Sequence, residues 1–144
     1  MSLQILAPAA ILALWSLIML AWLAVTRLPG MQKAGVTLSN AAPGGRGVDL
    51  EPVLPQRTNW ISHNYTHLME QPTIFYAVVI ILALTGHGTG LNLQMAWAYV
   101  VLRIMHSLWQ ALVNNTPIRF FIFLLSTVCL LIMAVNAVWA TLTL

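Results

Sequence analysis

Charge is what this chain has least of. Three acidic and six basic side chains are spread over 144 residues, 6% in all, too few to cover a surface that faces water. That excludes an ordinary soluble domain. Four of the six basic residues, Arg27, Lys33, Arg46 and Arg57, fall in one connection, with no basic patch carrying interleaved aromatics, so nucleic acid is not an expected partner. Cysteine is almost missing as well. The one thiol, Cys129, lies within the last apolar run, so disulfides do not define the fold. The opening Met-Ser-Leu-Gln, followed by an apolar run through Val25, does not fit the template of a basic, cleavable leader, so the first segment is expected to be retained.

Hydrophobic length is what the chain does have. Apolar residues make up 60% of it, and a membrane span needs about 20 of them in a row. Four such stretches use nearly the whole sequence. They predict an all-α transmembrane four-helix bundle, one integral domain over 1–144, with helices at about 5–26, 61–85, 94–113 and 117–143. Arg27 marks the exit of the first span, and Leu28 to Asn59 is rich in Gly and Pro, the composition of a loop. Pro117 suits the first turn of the fourth helix.

Positive residues fall in the first connection and, with Arg119, in the third; the second connection and both termini have none. The excess of Lys and Arg belongs on the cytoplasmic side, so both termini are expected outside the cytoplasm. The short chain and the lack of a retention signal point to a bacterial inner membrane.

Ionisable groups within a span cost about 2.5–3.5 kcal/mol each on insertion scales, so Glu70 and Arg103 need a partner or a wet cavity. Counted inward from Trp60 and back from Asn114, each sits roughly 15 Å deep at 1.5 Å per residue. They are expected to pair. His63, His67 and Glu70 form an i, i+4, i+7 stripe, and His106 lies one turn from Arg103. A polar cleft open to the cytoplasm follows. Spacing leaves open whether the pair serves a ligand or only locks the bundle. Three histidines and a carboxylate also admit a metal site in principle; no metal is assigned. His87 reads as a solvated turn residue, and Asn136 as an interhelical hydrogen-bonding group.

Two stretches carry a resemblance. His-Asn-Tyr-Thr-His-Leu-Met-Glu-Gln-Pro (63–72), and Arg-Ile-Met-His-Ser (103–107) followed by Asn-Thr-Pro-Ile-Arg (115–119), resemble the MAPEG family, the membrane-associated proteins of eicosanoid and glutathione metabolism. The third-helix Arg-x-x-His with Pro-x-Arg opening the next helix is similar to its prostaglandin-synthase and glutathione-transferase members. The resemblance implies a homotrimer of four-helix subunits, glutathione as co-substrate in sites opening to the cytoplasm, and a lipophilic second substrate arriving from the surrounding lipids. By position, Glu70 matches the glutamate that holds the glutathione amino group and His106 a histidine lining the site. Arg119 matches the arginine that stabilises the thiolate, and is the catalytic candidate. A thiol of pKa about 8.5 becomes a good nucleophile at neutral pH beside such a cation.

Arg27, His63, Asn64, His67, Arg103 and Gln110 complete the expected binding residues, with Arg57 a further anchor for carboxylates. The chain also departs from the family's pattern. Two anchoring arginines of the second helix are absent, His63 and His67 standing among those positions with Asn64 displaced, while Gln110 replaces a tyrosine and Phe120 and Phe123 replace polar groups. The expected function is therefore a membrane transferase or peroxidase using glutathione on lipophilic electrophiles. A non-catalytic lipid-binding or scaffolding protein of the same fold is the alternative.

Overall fold

The computed structural model describes residues 1–37 and 39–143. A short 3₁₀ turn, Leu3–Ile5, leads into α1, Leu6–Lys33; a second, Gly47–Leu50, lies in the first connection. Three further helices follow: α2 Gln56–Leu84, α3 Gly90–Leu112 and α4 Thr116–Leu142. They pack as a four-helix bundle in which α3 lies most extensively on α4, and α1 on α2.

The bundle is apolar outside. Leu14, Leu17, Ile74, Val101, Leu131, Val135 and Val138 are each more than half exposed, far beyond what a protein in water tolerates as a continuous surface. Three helices, with bounds Leu3–Lys33, Gln56–Leu84 and Thr116–Leu142, are long and apolar enough to cross a membrane. The expectation was four. The third helix, α3, falls short because its polar residues are concentrated on one stripe, and that stripe faces inward: Asn92, Tyr99, Arg103, His106, Ser107 and Gln110 are all buried. Its 23 residues still give a rod of about 34 Å, the length its neighbours need to be lined along the hydrocarbon.

Cross-links between helices use that polar stripe. Trp15 Nε1 donates to Ser107 Oγ at 3.0 Å, joining α1 to α3. Tyr99 OH donates to Gln71 Oε1 at 3.2 Å, and Gln71 Nε2 to Thr127 Oγ1 at 2.9 Å, so α3, α2 and α4 share one chain of bonds. At the other end Asn136 Nδ2 donates to Asn92 Oδ1 at 2.7 Å. In lipid, packing and bonds of this kind replace the hydrophobic drive as the force between helices. A conventional apolar cluster fills the remaining space, with Phe75 stacked on Tyr99 at a centroid distance of 4.4 Å.

The helix ends differ from expectation in instructive ways. The first helix does not stop at Thr26 but continues through Arg27 and Pro29 to Lys33. Pro29 cannot serve the carbonyl four residues earlier, yet the ladder resumes beyond it, with Ala34 N donating to Gly30 O at 3.1 Å. The second helix begins at Gln56, because Pro55 fixes the entry and Asn59 Nδ2 ties the first turn to the Glu51 carbonyl at 2.9 Å. The third begins at Gly90, whose φ of 57° suits glycine, and Asn92 Nδ2 bonds back to the His87 carbonyl at 2.9 Å. His87 thus belongs to a helix-start structure, and its ring also meets Trp139 edge-on at 6.0 Å.

Candidate functional site

Arg119 owes its place to a tight turn. The third helix ends at Leu112, and Asn114, at φ 55°, reverses the chain while its N–H reaches the Trp109 carbonyl at 2.7 Å. Asparagine is among the few residues with a side chain that adopt this left-handed conformation readily. Asn115 then caps α4, its Oδ1 accepting from Ile118 N at 3.4 Å. The Asn114 Oδ1 accepts from Arg119 Nη1 at 2.5 Å. One short turn therefore both starts the helix and aims its arginine.

Histidine and carboxylate meet one turn apart on α2. His67 Nδ1 lies 2.8 Å from Glu70 Oε2; beside a carboxylate that nitrogen carries the proton, which leaves Nε2 as the lone-pair nitrogen. The His67 ring is set edge-on to His106 at 5.0 Å and stacked on Phe123 at 5.4 Å. Behind it, Arg103 Nη2 donates to the His67 carbonyl at 2.8 Å. That carbonyl is adjacent to the one deprived of its bond by Pro72, where the helix ladder is already open.

The first connection folds over this face. Glu51 Oε1 accepts from His63 Nε2 at 2.8 Å, and the Glu51 carbonyl accepts from Asn59. Arg27 donates from Nη2 to the Gly47 carbonyl. A Cβ at Gly47 would stand 2.8 Å from the Arg27 guanidinium, so a side chain there would displace the Arg27 head group from its present place.

Together these elements enclose a cleft of about 690 Å³, a size that takes a small peptide or cofactor. α1 supplies Leu23 and Arg27, the first connection Arg46, Gly47, Val48 and Glu51, and α2 Ser62, His63, Tyr65, Thr66, His67 and Glu70. Gln110 and Arg119 close it from α3 and α4. Three guanidinium groups and two carboxylates thus face one space. A smaller pocket of about 140 Å³ adjoins it, formed by His67, His106, Thr116, Arg119, Phe120 and Phe123. His67 and Arg119 belong to both.

Of the residues expected at a site, Arg27, His63, His67, Glu70, Gln110 and Arg119 line the cleft and His106 the smaller pocket. Arg103 and Asn64 do not. Both are 1% exposed and turned into the bundle. The expected Glu70–Arg103 pair is not formed: among the described residues the ion pairs are His63–Glu51 and His67–Glu70. Their levels do correspond, since Arg103 reaches the carbonyl of His67, but Glu70 points out of the bundle while Arg103 points in. Arg57 is exposed and away from the cleft; Arg46 stands in its place. Arg46, Glu51 and Tyr65 were not foreseen, and only the Gly-Gly-Arg-Gly run at 44–47 hinted at a chain folded tightly enough to return an arginine to the bundle. Among the described residues no three His, Cys, Asp or Glu side chains converge as a metal set.

The family model described as the MAPEG family matches residues 5–139, nearly the whole chain. The chain belongs to the MAPEG family. Neither a curated protein nor a solved structure matches it. With three apolar helices of spanning length, this MAPEG chain is an integral membrane protein.

Proposed function

We propose that this protein couples glutathione, or a thiol like it, to lipophilic electrophiles within the membrane, as a transferase or peroxidase. The observation that carries the reading is the position of Arg119 in the wall between a charged cleft and a pocket walled by Phe120 and Phe123. A water-soluble thiol donor suits the first space and an apolar acceptor the second, and the cation stands where the two would react. Arg27 and Arg46 offer bidentate donors for peptide carboxylates. Glu70 uses Oε2 toward His67, and its Oε1, without a hydrogen bond among the described residues, is open to an ammonium group. His63, His67 and Gln110 line the space between them, and Arg119 stabilises the thiolate.

The reading extends to a homotrimer whose neighbouring subunit completes the cleft, in a bacterial inner membrane, with the cleft facing the cytoplasm and both termini outside. Calorimetric titration of glutathione into purified protein, followed by turnover of a generic electrophile, tests it. Binding and thiol transfer are expected, and Arg119→Ala is expected to abolish transfer while leaving the oligomer intact. Neither binding nor transfer would end the proposal. A second reading, a non-catalytic lipid-binding protein, is favoured by the histidines at 63 and 67 where family members carry anchoring groups. It predicts no turnover with any thiol and no effect of Arg119→Ala on lipid retention.

A further inference from the structure

We infer that His67, oriented by Glu70, is the general base that takes the proton from the thiol. The inference rests on the thiol-transfer reading above and adds a step to it. A cation lowers the cost of the thiolate but accepts no proton; some other group must receive it. Among the described residues, His67 alone shares both the cleft and the aromatic pocket with Arg119.

The geometry defines its chemistry. Glu70 Oε2 holds Nδ1–H at 2.8 Å, fixing one tautomer and compensating the charge when the ring becomes imidazolium. Nε2 has no hydrogen bond among the described residues and is the basic atom. Packing between His106 and Phe123 fixes the ring plane, as a proton acceptor requires. The charged and titratable groups around it are Glu70 on its own helix, Arg103 and His106 on α3, and Arg119 on α4. Two of these are permanent cations and one is an anion in direct contact.

The step balances without an added reductant. The thiol S–H bond breaks, its proton passes to Nε2, and the sulfur lone pair attacks the electrophilic carbon of an activated alkene. The alkene electrons move to the adjacent carbon, which then takes the same proton back from the imidazolium. One C–S and one C–H bond form while one S–H and one C=C π bond are lost, and His67 returns to its starting state.

His67→Asn tests this, because its amide can still donate to Glu70 but offers no basic nitrogen. With glutathione and an activated alkene, kcat is expected to fall about 100-fold while the calorimetric affinity for glutathione changes by less than threefold. The acid limb of the pH profile of kcat is expected to vanish, and the ultraviolet band of the bound thiolate to weaken. Added imidazole is expected to restore part of the turnover of His67→Ala. Unchanged turnover and pH profile in His67→Asn would overturn the base and leave the function standing. If the unaltered protein binds no glutathione, the function fails first and the base with it.

Discussion

The guanidinium of Arg103 ends on a main-chain atom: Nη2 lies 2.8 Å from the carbonyl oxygen of His67, and no carboxylate is within ion-pair distance among the described residues. Its Nε and Nη1 have no hydrogen-bond partner among the described residues, although the side chain is fully buried. The Phe123 ring, 5.9 Å from the guanidinium carbon, supplies a weak cation–π contact.

A charge held this way is a stability cost. Each unsatisfied buried donor costs about 1–3 kcal/mol, against about 1.5–3 kcal/mol for the one charge-assisted bond that is made. Arg103→Met, which keeps the stem and removes the charge, is expected to leave the melting temperature in detergent unchanged or higher. Arg103→Ala, which also opens a cavity, is expected to lower stability by about 2–5 kcal/mol. Equal losses in both variants would show that the open donors find partners in the assembled protein.

The aim of Arg119 depends on Asn114. Asn114→Gly preserves the left-handed backbone and removes the amide oxygen, so α4 is expected to start at the same residue with its arginine released. Thiol transfer is expected to fall about tenfold, one hydrogen bond to a charged group being worth about 1.5–3 kcal/mol, and to fall less than in Arg119→Ala. A transfer rate equal to that of the unaltered protein would remove the turn from the site.

Arg46 and Gly47 form a second control point. Arg46→Ala is expected to raise the KM for glutathione roughly tenfold or more with kcat unchanged, the pattern of an interaction made equally in ground and transition states. Gly47→Ala pushes a methyl group into the Arg27 guanidinium and is expected to raise KM in the same direction. Steady-state kinetics with glutathione as the varied substrate separate the two constants.

At the far end of the bundle, Asn136→Ala removes the 2.7 Å bond to Asn92. Its expected cost is about 0.6–2 kcal/mol of bundle stability, read from unfolding in mixed micelles, with no change in thiol transfer. A change in transfer would couple the two ends of the molecule.

Much of this architecture was legible because lipid imposes a simple pattern. Long apolar runs located α1, α2 and α4 directly, and Pro117 with its preceding asparagines located the start of α4. The third helix, α3, was read as a fourth span although its polar stripe keeps it short of the others in apolar length. The stripe of His63, His67 and Glu70 was readable from helical spacing, and these residues do line one cleft. What spacing could not convey was direction around each helix. Glu70 and Arg103 share a level, yet α2 turns one outward and α3 turns the other inward, so the pairing inferred from depth did not form. Asn64 was lost the same way, lying one helical step from His63 but on the core side. Arg46 escaped notice because its return to the cleft depends on the fold of an irregular connection, through contacts such as Arg27 with Gly47, and no periodicity encodes those.

The inward-facing polar stripe of α3 bears on how that helix is held in lipid. A segment carrying a buried arginine partitions into bilayer poorly by itself, at a cost of about 2.5–3.5 kcal/mol for that residue near the centre. Its most extensive neighbour is α4, the helix synthesised directly after it across a three-residue turn. Packing α3 against α4 takes much of that stripe out of contact with lipid and offsets the cost the third helix would meet alone.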